Sequence, residues 1–343
     1  MNRKGQSPKI SVVIPTRNRV ALAKRAIKSA LLQSYPDIEV IVIVDGGSGE
    51  SYEEFFQLTD SRIRVYILTR SVGGGEARNI GIRESRGEWI ALLDDDDEWL
   101  PGKLAAQMEA AASGSVRDAL ICCQYFERTT KGQSIRPRRV PKPGQVIGEY
   151  LFCEIPMLGA RLTFLQTSTW LAPRSLFLRH PFDRGVRMND DTDWLLRSIK
   201  DTSRQITIIQ KPLSIYHCDD DHDRMNTNKA EIAGGEISRS WAKSRRDLFS
   251  AKALAYFFVT DCLTQAVAAR RGWRIYMDIL KDCSEMAIVS PMVLWLFFRA
   301  TILFPGLKRC LPDGFRKRLH SIHYSGESVW RKLLKRRTYA TVE

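Results

Sequence analysis

A chain of 343 residues with 44% hydrophobic and 27% charged side chains carries enough apolar material for one large core or two smaller ones, which excludes a disordered protein. Its seven cysteines, at 122, 123, 153, 218, 262, 283 and 310, are odd in number and contain no C-x-x-C pair, which argues against a disulfide framework or structural zinc site and for a reducing compartment. Lys and Arg number 53 against 39 Asp and Glu; the net +14 raises a basic nucleic-acid-binding protein as an alternative reading, yet no helix-turn-helix, zinc-finger or aromatic RNA-binding signature accompanies it, so no nucleic-acid partner is expected.

In chain order, MNRKGQSPKISVVIP lacks the apolar run and cleavage site of a signal peptide, so the front of the chain is expected to stay cytoplasmic. ISVVI (10–14) and IEVIVIV (38–44) are β-branched runs of strand length, and the segment between them, ALAKRAIKSALLQSY, has apolar residues at helical spacing. Continuous apolar strands suit a parallel sheet covered on both faces, so the fold class is α/β. A third strand is predicted at RVYIL (64–68), then a glycine loop, a short helix from about Glu76, and a strand at WIALL (89–93). A helix follows Pro101, DALICCQYF (118–126) reads as a strand, and KGQSIRPRRVPKPGQ as a basic loop broken by prolines. A helix around DTDWLLRSIK and a strand at ITIIQKPLSIYH complete this part; from about Ala230 the pattern turns helical. The division is placed between a catalytic domain, 1–228, and a helical C-terminal region, 229–343.

The stretch WIALLDDDDEWLP (89–101) stops an apolar strand at four aspartates and a glutamate. Two carboxylates about 4 Å apart repel by roughly 1 kcal/mol even in water, so the run needs a counter-charge. A hard divalent cation with oxygen ligands would supply it, and such an ion usually takes phosphate oxygens beside one or two carboxylates. The plainer reading is a solvated acidic loop or helix start. Asp45 closes the second strand, where α/β nucleotide binders meet a ribose hydroxyl, or else it is a turn aspartate bonding backbone. Neither G-x-G-x-x-G after the first strand nor G-x-x-x-x-G-K-[ST] is present, so neither a dinucleotide fold nor a P-loop is supported. Asp190, Asp191 and Asp193 open a helix, which is compatible with capping as well as with catalysis.

SVVIPTRNR, QSYPDIEVIVIVDGGS, GGGEARNIGIRESRGEWIALLDDDDEWLPGKL and DDTDWLLR stand in the order and spacing of the motifs of the family 2 glycosyltransferases, and the chain resembles that family over roughly residues 9 to 220. The resemblance implies a GT-A fold, a Rossmann-like, mostly parallel sheet flanked by helices. It implies inverting, metal-dependent transfer of a sugar from a nucleotide-diphosphate sugar donor to a hydroxyl of a glycan or lipid-linked acceptor, as in surface polysaccharide biosynthesis. In the family's pattern the nucleotide sugar would be held by Pro15, Thr16, Arg17, Asp45, Arg78 and Asp95. Asp94 and Asp96 map to the D-x-D element that shares Mn²⁺ or Mg²⁺ with the diphosphate, with His217 a further metal or diphosphate contact. Asp191 maps to the catalytic base. The family often has a second acid after the second strand, where this chain has Gly46; a catalytically degenerate member of the same fold is the alternative that departure raises.

The run from Met286 to Pro305 is interrupted by Ser290, Pro291 and Arg299, which leaves PMVLWLFF as its longest apolar stretch, far below the ~20 residues of a membrane span. Residues 306–343 hold ten Lys or Arg and three Asp or Glu, a net +7 and half the total. An amphipathic, basic region docking on an anionic membrane surface is expected, with RPRR (136–139) adding to it and the protein peripheral on the cytosolic face of the inner (plasma) membrane. A packed helical subdomain with a basic tail is the other reading.

Overall fold

The computed structural model describes residues 9–46, 53–113, 119–130, 132–142, 144–155, 162–186, 188–199, 205–218, 235–269, 273–285 and 290–303. In chain order the elements are β1 (Ile10–Thr16), α1 (Val20–Leu31), β2 (Ile38–Val44), α2 (Glu53–Phe56), β3 (Ile63–Ile67), α3 (Gly74–Glu84), β4 (Trp89–Leu92), β5 (Glu98–Trp99), α4 (Lys103–Ser113), β6 (Leu120–Thr129), β7 (Gly132–Arg136), α5 (Ile147–Cys153), β8 (Leu171–Pro173), α6 (Arg174–Arg179), α7 (Asp190–Ser198) and β9 (Ile206–His217). Then come α8 (Glu236–Ser244), α9 (Ala251–Phe257), α10 (Leu263–Ala268), α11 (Trp273–Glu285) and α12 (Pro291–Phe298). The chain divides into two compact units: residues 1–147 with 165–221, and residues 148–164 with 222–343. The division placed by sequence at 228/229 falls outside the described residues.

The first unit is built on one sheet of order β3-β2-β1-β4-β8-β6-β9-β5, with β7 paired to β6. Strands β3, β2, β1 and β4 are mutually parallel, as their continuous apolar sequences require of strands covered on both faces. Beyond β4 the sheet is mixed: β9 runs parallel to β6, whereas β8 is antiparallel to both β4 and β6, β5 to β9, and β7 to β6. The proline-rich stretch read as loop therefore contains a strand; it is a short hairpin partner that offers little apolar alternation. Strand β9 tolerates Pro212 because its register against β6 shifts on either side of the Gln124–Pro212 pairing, where a missing N–H is least costly.

Helix α1 buries Val20, Ala23, Ala26, Ile27 and Ala30, spaced three and four apart, against Val12, Ile14, Val40 and Val42. Helix α3 lies against β1 and β2 through Gly81, where a Cβ would stand 2.4 Å from Val13 Cγ1. That close approach fixes the height of α3 above the sheet. Around α7, Trp194 meets Trp170 (5.1 Å between ring centroids), Phe177 (4.8 Å) and Phe182 (6.0 Å). Truncating a buried tryptophan of this kind costs about 3–5 kcal/mol, so this cluster anchors the start of α7 firmly.

In the second unit Phe152 of α5 packs on Phe249 (5.8 Å) and Phe257 (5.1 Å), and Trp241 meets Phe257 at 5.4 Å. Asp282 of α11 accepts from Arg239 and Lys243 of α8. The interrupted run near residue 290 forms α12, with Leu294 and Phe298 exposed, and no helix among the described residues is long and apolar enough to cross a membrane. The basic clusters of 308–337 lie outside the described residues. Arg136 of the RPRR segment is buried and donates to Glu127 at 3.2 Å, so it is a structural cation rather than part of an open basic face.

Candidate functional site

The carboxyl ends of three parallel strands meet at one edge of the first unit. Thr16 is in register with Val44, the Asp45 N–H donates to the Thr16 carbonyl at 2.8 Å, and the Leu93 N–H donates to the Val13 carbonyl. Pro15, Thr16 and Arg17, Asp45, and the run Asp94–Asp97 therefore share that edge, where open α/β sheets hold their ligands. Arg17 is exposed there, whereas Thr16 and Asp45 are buried.

Asp45 spends its carboxylate on the chain that leads into α3. It accepts from Ser71 Oγ (2.9 Å), the Val72 N–H (2.6 Å) and the Gly73 N–H (3.0 Å). Gly46, next in sequence, has φ +63°, and a Cβ there would sit 2.3 Å from Ser71 N. The second acid is thus absent for a steric reason: residues 70 and 71 pass so close that only glycine fits.

Three arginines answer the charge of the acidic run. Arg19 grips Asp95 through two nitrogens, Nη2 to Oδ1 at 2.6 Å and Nε to Oδ2 at 3.2 Å, and reaches Asp96 Oδ2 with Nη1 at 3.2 Å. Thr16 Oγ1 donates to Asp95 Oδ2 at 2.6 Å. Even so, burial outweighs these partners and pushes the Asp95 carboxyl up to about 6. Arg25 donates to the Asp96 carbonyl at 2.7 Å and lies 3.5 Å from Glu98. Arg78 donates to Asp94 Oδ1 at 2.6 Å and to Asp190 Oδ2 at 2.9 Å, with its guanidinium over the Phe182 ring. Burial works against that charge, but Asp94 and Asp190 hold the guanidinium above its usual range.

Asp97 turns inward, accepting from Ser168 Oγ (2.6 Å) and Gln166 Nε2, while Ser168 Oγ also accepts the Asp94 N–H at 2.9 Å. Beneath the run, Trp99 donates Nε1 to the Ser168 carbonyl and carries the buried Lys103 ammonium 3.9 Å from its ring centre.

Helix α7 delivers the remaining acids. Asn189 precedes it in left-handed conformation (φ 61°) with no side-chain cap bond. Asp193 is fully buried and paired with Arg197 at 2.6 Å, a structural role. Asp191 Oδ1 accepts the Thr192 N–H at 2.6 Å; burial, then the neighbouring Asp190 carboxylate, push Asp191 up to about 6. Asp190 is raised too, by burial, against the pull of Arg78. The loop before α7 is clamped to α3: the Asn79 amide donates to the Phe182 carbonyl (2.8 Å) and accepts the Phe182 N–H (2.9 Å), while Glu76 takes Arg184 at 2.7 Å.

The structure thus gathers Thr16, Arg78, Asp94, Asp95, Asp96 and Asp190, with Asp191 beside them. His217 reaches the end of the acidic run, with Nε2 2.8 Å from Glu98 Oε1, and among the described residues no group of three His, Cys, Asp or Glu side chains converges on one ion position. Sequence reasoning missed Arg19, Glu76 and Asn79. Arg19 stood in the quoted first motif, but its partners lie 76 and 77 residues away.

Residues 11–171 match the family described as Glycosyl transferase family 2. An Escherichia coli (strain K12) protein provisionally assigned as the colanic acid biosynthesis glycosyl transferase WcaA is 41% identical over 277 residues, 80% of this chain and 94% of that protein. The GalNAc(5)-diNAcBac-PP-undecaprenol beta-1,3-glucosyltransferase of Campylobacter jejuni is 40% identical over 110 residues, 31% of this chain and 36% of that enzyme. Among solved structures, a mannosyltransferase from Pyrobaculum calidifontis, PcManGT in complex with GDP-Man and Mn²⁺, superimposes with a TM-score of 0.53 at 16% identity, covering 92% of this chain and 84% of that one. That likeness speaks to the fold: a GT-A-like α/β architecture.

Proposed function

The chain belongs to glycosyl transferase family 2, and from that premise we propose that it transfers a sugar, with inversion, from a nucleotide-diphosphate donor to a hydroxyl of a glycan or lipid-linked acceptor. The observation that carries this reading is the Arg78 bridge, which ties the acidic loop at the end of β4 to the head of α7 and so keeps Asp191 next to the place where a diphosphate would sit.

Pro15, Thr16, Arg17 and the buried edge around Asp45 form the nucleoside side of the site. Asp95, expected to face the ribose or sugar, is buried with both oxygens taken by Thr16 and Arg19, so it acts by fixing those two side chains at the site. The donor set at Asp94 and Asp96 fits a hard cation: both are carboxylates, both keep part of their surface open, and a small divalent ion completes its shell with water and phosphate oxygens. Mn²⁺ or Mg²⁺ held there would stabilise negative charge on the departing diphosphate. Asp191 accepts the proton of the acceptor hydroxyl while that oxygen bonds to the anomeric carbon and the bond to the diphosphate breaks on the opposite face, inverting the centre. Arg78 offsets charge near the leaving group and holds Asp190 in place beside the base. Asp97, turned inward, supports the loop.

An acceptor carried on lipid or growing polysaccharide agrees with the names of the relatives. The basic C-terminal residues would then bring the enzyme to the cytosolic face of an anionic membrane, about 1 kcal/mol per cation near the surface.

The test is a transfer assay over UDP-, GDP- and dTDP-sugars with Mn²⁺ or Mg²⁺, preceded by a thermal-shift screen of the nucleoside diphosphates. A nucleotide that raises the melting temperature only with metal supports the reading. Undiminished transfer by Asp96→Ala and Asp191→Ala overturns it.

A further inference from the structure

We propose that Arg19 and the divalent cation are alternative partners of the acidic run, and that the donor diphosphate decides between them. The inference rests on the reading of Asp94 and Asp96 as the cation's ligands. The counter-charge on Asp95 and Asp96 is the Arg19 guanidinium. Arg19 binds Asp95 by a fork and Asp96 by one longer contact of 3.2 Å, and its side chain keeps 17% of its surface open. The two grips are unequal in a useful way. Asp95 is fixed by both arms of the Arg19 fork and by Thr16, whereas Arg19 reaches Asp96 through Nη1 only, so of the Arg19 contacts it is the one to Asp96 that an incoming cation displaces.

A cation without a phosphate partner would have to displace Nη1 and then carry a largely aqueous shell, since no third protein carboxylate or histidine among the described residues converges on the position. A nucleotide diphosphate changes the balance on both sides: it offers oxygens to the cation and a new anion to the freed guanidinium nitrogen. Metal and diphosphate therefore bind with positive coupling, and Arg19 is a positioning residue that enforces this order while keeping Asp95 aimed.

The experiment measures Mn²⁺ binding to the full chain by the electron-spin-resonance signal of the free ion, with and without UDP or GDP, in wild type, Arg19→Gln, Arg19→Lys and Asp96→Asn. Wild type is expected to bind Mn²⁺ weakly alone and more tightly with the stabilising nucleotide. Arg19→Gln is expected to bind Mn²⁺ alone about five- to tenfold more tightly than wild type, the scale of releasing one partly exposed charge-assisted pair, with a correspondingly smaller gain on adding nucleotide. Arg19→Lys, which keeps a charge but loses the fork, falls between the two and checks that the effect is not misfolding. Equal or weaker Mn²⁺ binding in both Arg19 variants, with binding lost in Asp96→Asn, overturns the competition while leaving the acidic run as the metal site. Undiminished Mn²⁺ binding in Asp96→Asn removes the metal reading itself, and the proposal with it.

Discussion

Asp94 and Asp190, one at the end of a strand and the other at the head of a helix, share a single guanidinium: Asp94 Oδ1 takes Nη2 of Arg78 at 2.6 Å and Asp190 Oδ2 takes Nη1 at 2.9 Å. Removing that cation leaves two neighbouring carboxylates uncompensated in a partly buried place, which costs roughly 3 kcal/mol. Arg78→Met is expected to lower urea-unfolding stability by that order and to depress kcat/KM by about a hundredfold or more. Arg78→Lys, a point charge that cannot span both acids, recovers only part of either loss. Unfolding of Arg78→Met at the wild-type urea midpoint would show that the bridge does not hold the two elements together.

The raised carboxyl of Asp191 has consequences of opposite sign for activity and for folding. Its value of about 6 lies above the ordinary aspartate range because burial and the Asp190 carboxylate both disfavour ionisation. As a base it must be ionised, so kcat is expected to rise with pH through an apparent pKa near 6 that belongs to the Asp190–Asp191 pair rather than to one residue. Stability runs the other way: the folded form holds its proton more tightly, so this contribution is present below the unfolded value of about 3.9 and is lost as pH rises through about 6. A pH profile of kcat in saturating donor checks the first statement. Asp191→Asn should flatten that limb at a low rate, and an unchanged limb would assign the titration to another group.

Gly46 supplies a third prediction. Because the residue is at φ +63° with a Cβ position 2.3 Å from Ser71 N, Gly46→Ala combines backbone strain with a clash against main chain and should destabilise by about 2 kcal/mol or more. Gly46→Asp, which restores the more usual acid, should not improve donor binding. It pushes residues 71–73 away from Asp45 and should weaken the nucleotide-induced shift in melting temperature. A gain in nucleotide affinity would mean that the turn has room the packing denies.

That glycine also marks how far the sequence could be read. The β-branched runs located β1 and β2 and the apolar stretch WIALL located β4, which put Thr16, Asp45 and Asp94–Asp96 on one edge, because strand ends are set by local pattern and a parallel sheet brings them together. The arginines were harder. The acidic run was expected to need a cation, and the resemblance implied that Arg78 lies near the acidic loop, but nothing local says that Arg19 would help provide it, since its pairing joins distant parts of the chain. Likewise Gly46 looked like a departure from a motif until the path of residues 70 and 71 was known. Strand β7 was hidden in a basic, proline-broken stretch because a hairpin edge is held by backbone pairing to β6, not by an apolar face.

Lys103 yields the last prediction. The side chain is fully buried, its Nζ donates to Gln107 Oε1 at 2.8 Å and stands over Trp99, and burial pushes its ammonium down to about 8. In the unfolded chain the group titrates near 10.5, so between about 8 and 10.5 the unfolded state binds more protons and stability should rise with pH. Below that window the buried charge is a standing cost of order 3 kcal/mol, partly offset by the ring and the amide. Lys103→Met keeps the length and fills the same space, and is expected to raise neutral-pH stability by about 1–2 kcal/mol while abolishing the alkaline increase. Urea melts at pH 7 and pH 9.5 measure both. Trp99 connects this site to the acidic run through the Ser168 carbonyl, and Ser168 holds Asp97 and the Asp94 N–H. A less stable Lys103→Met protein would mean that the ammonium's contacts with Gln107 and the Trp99 ring outweigh its burial penalty.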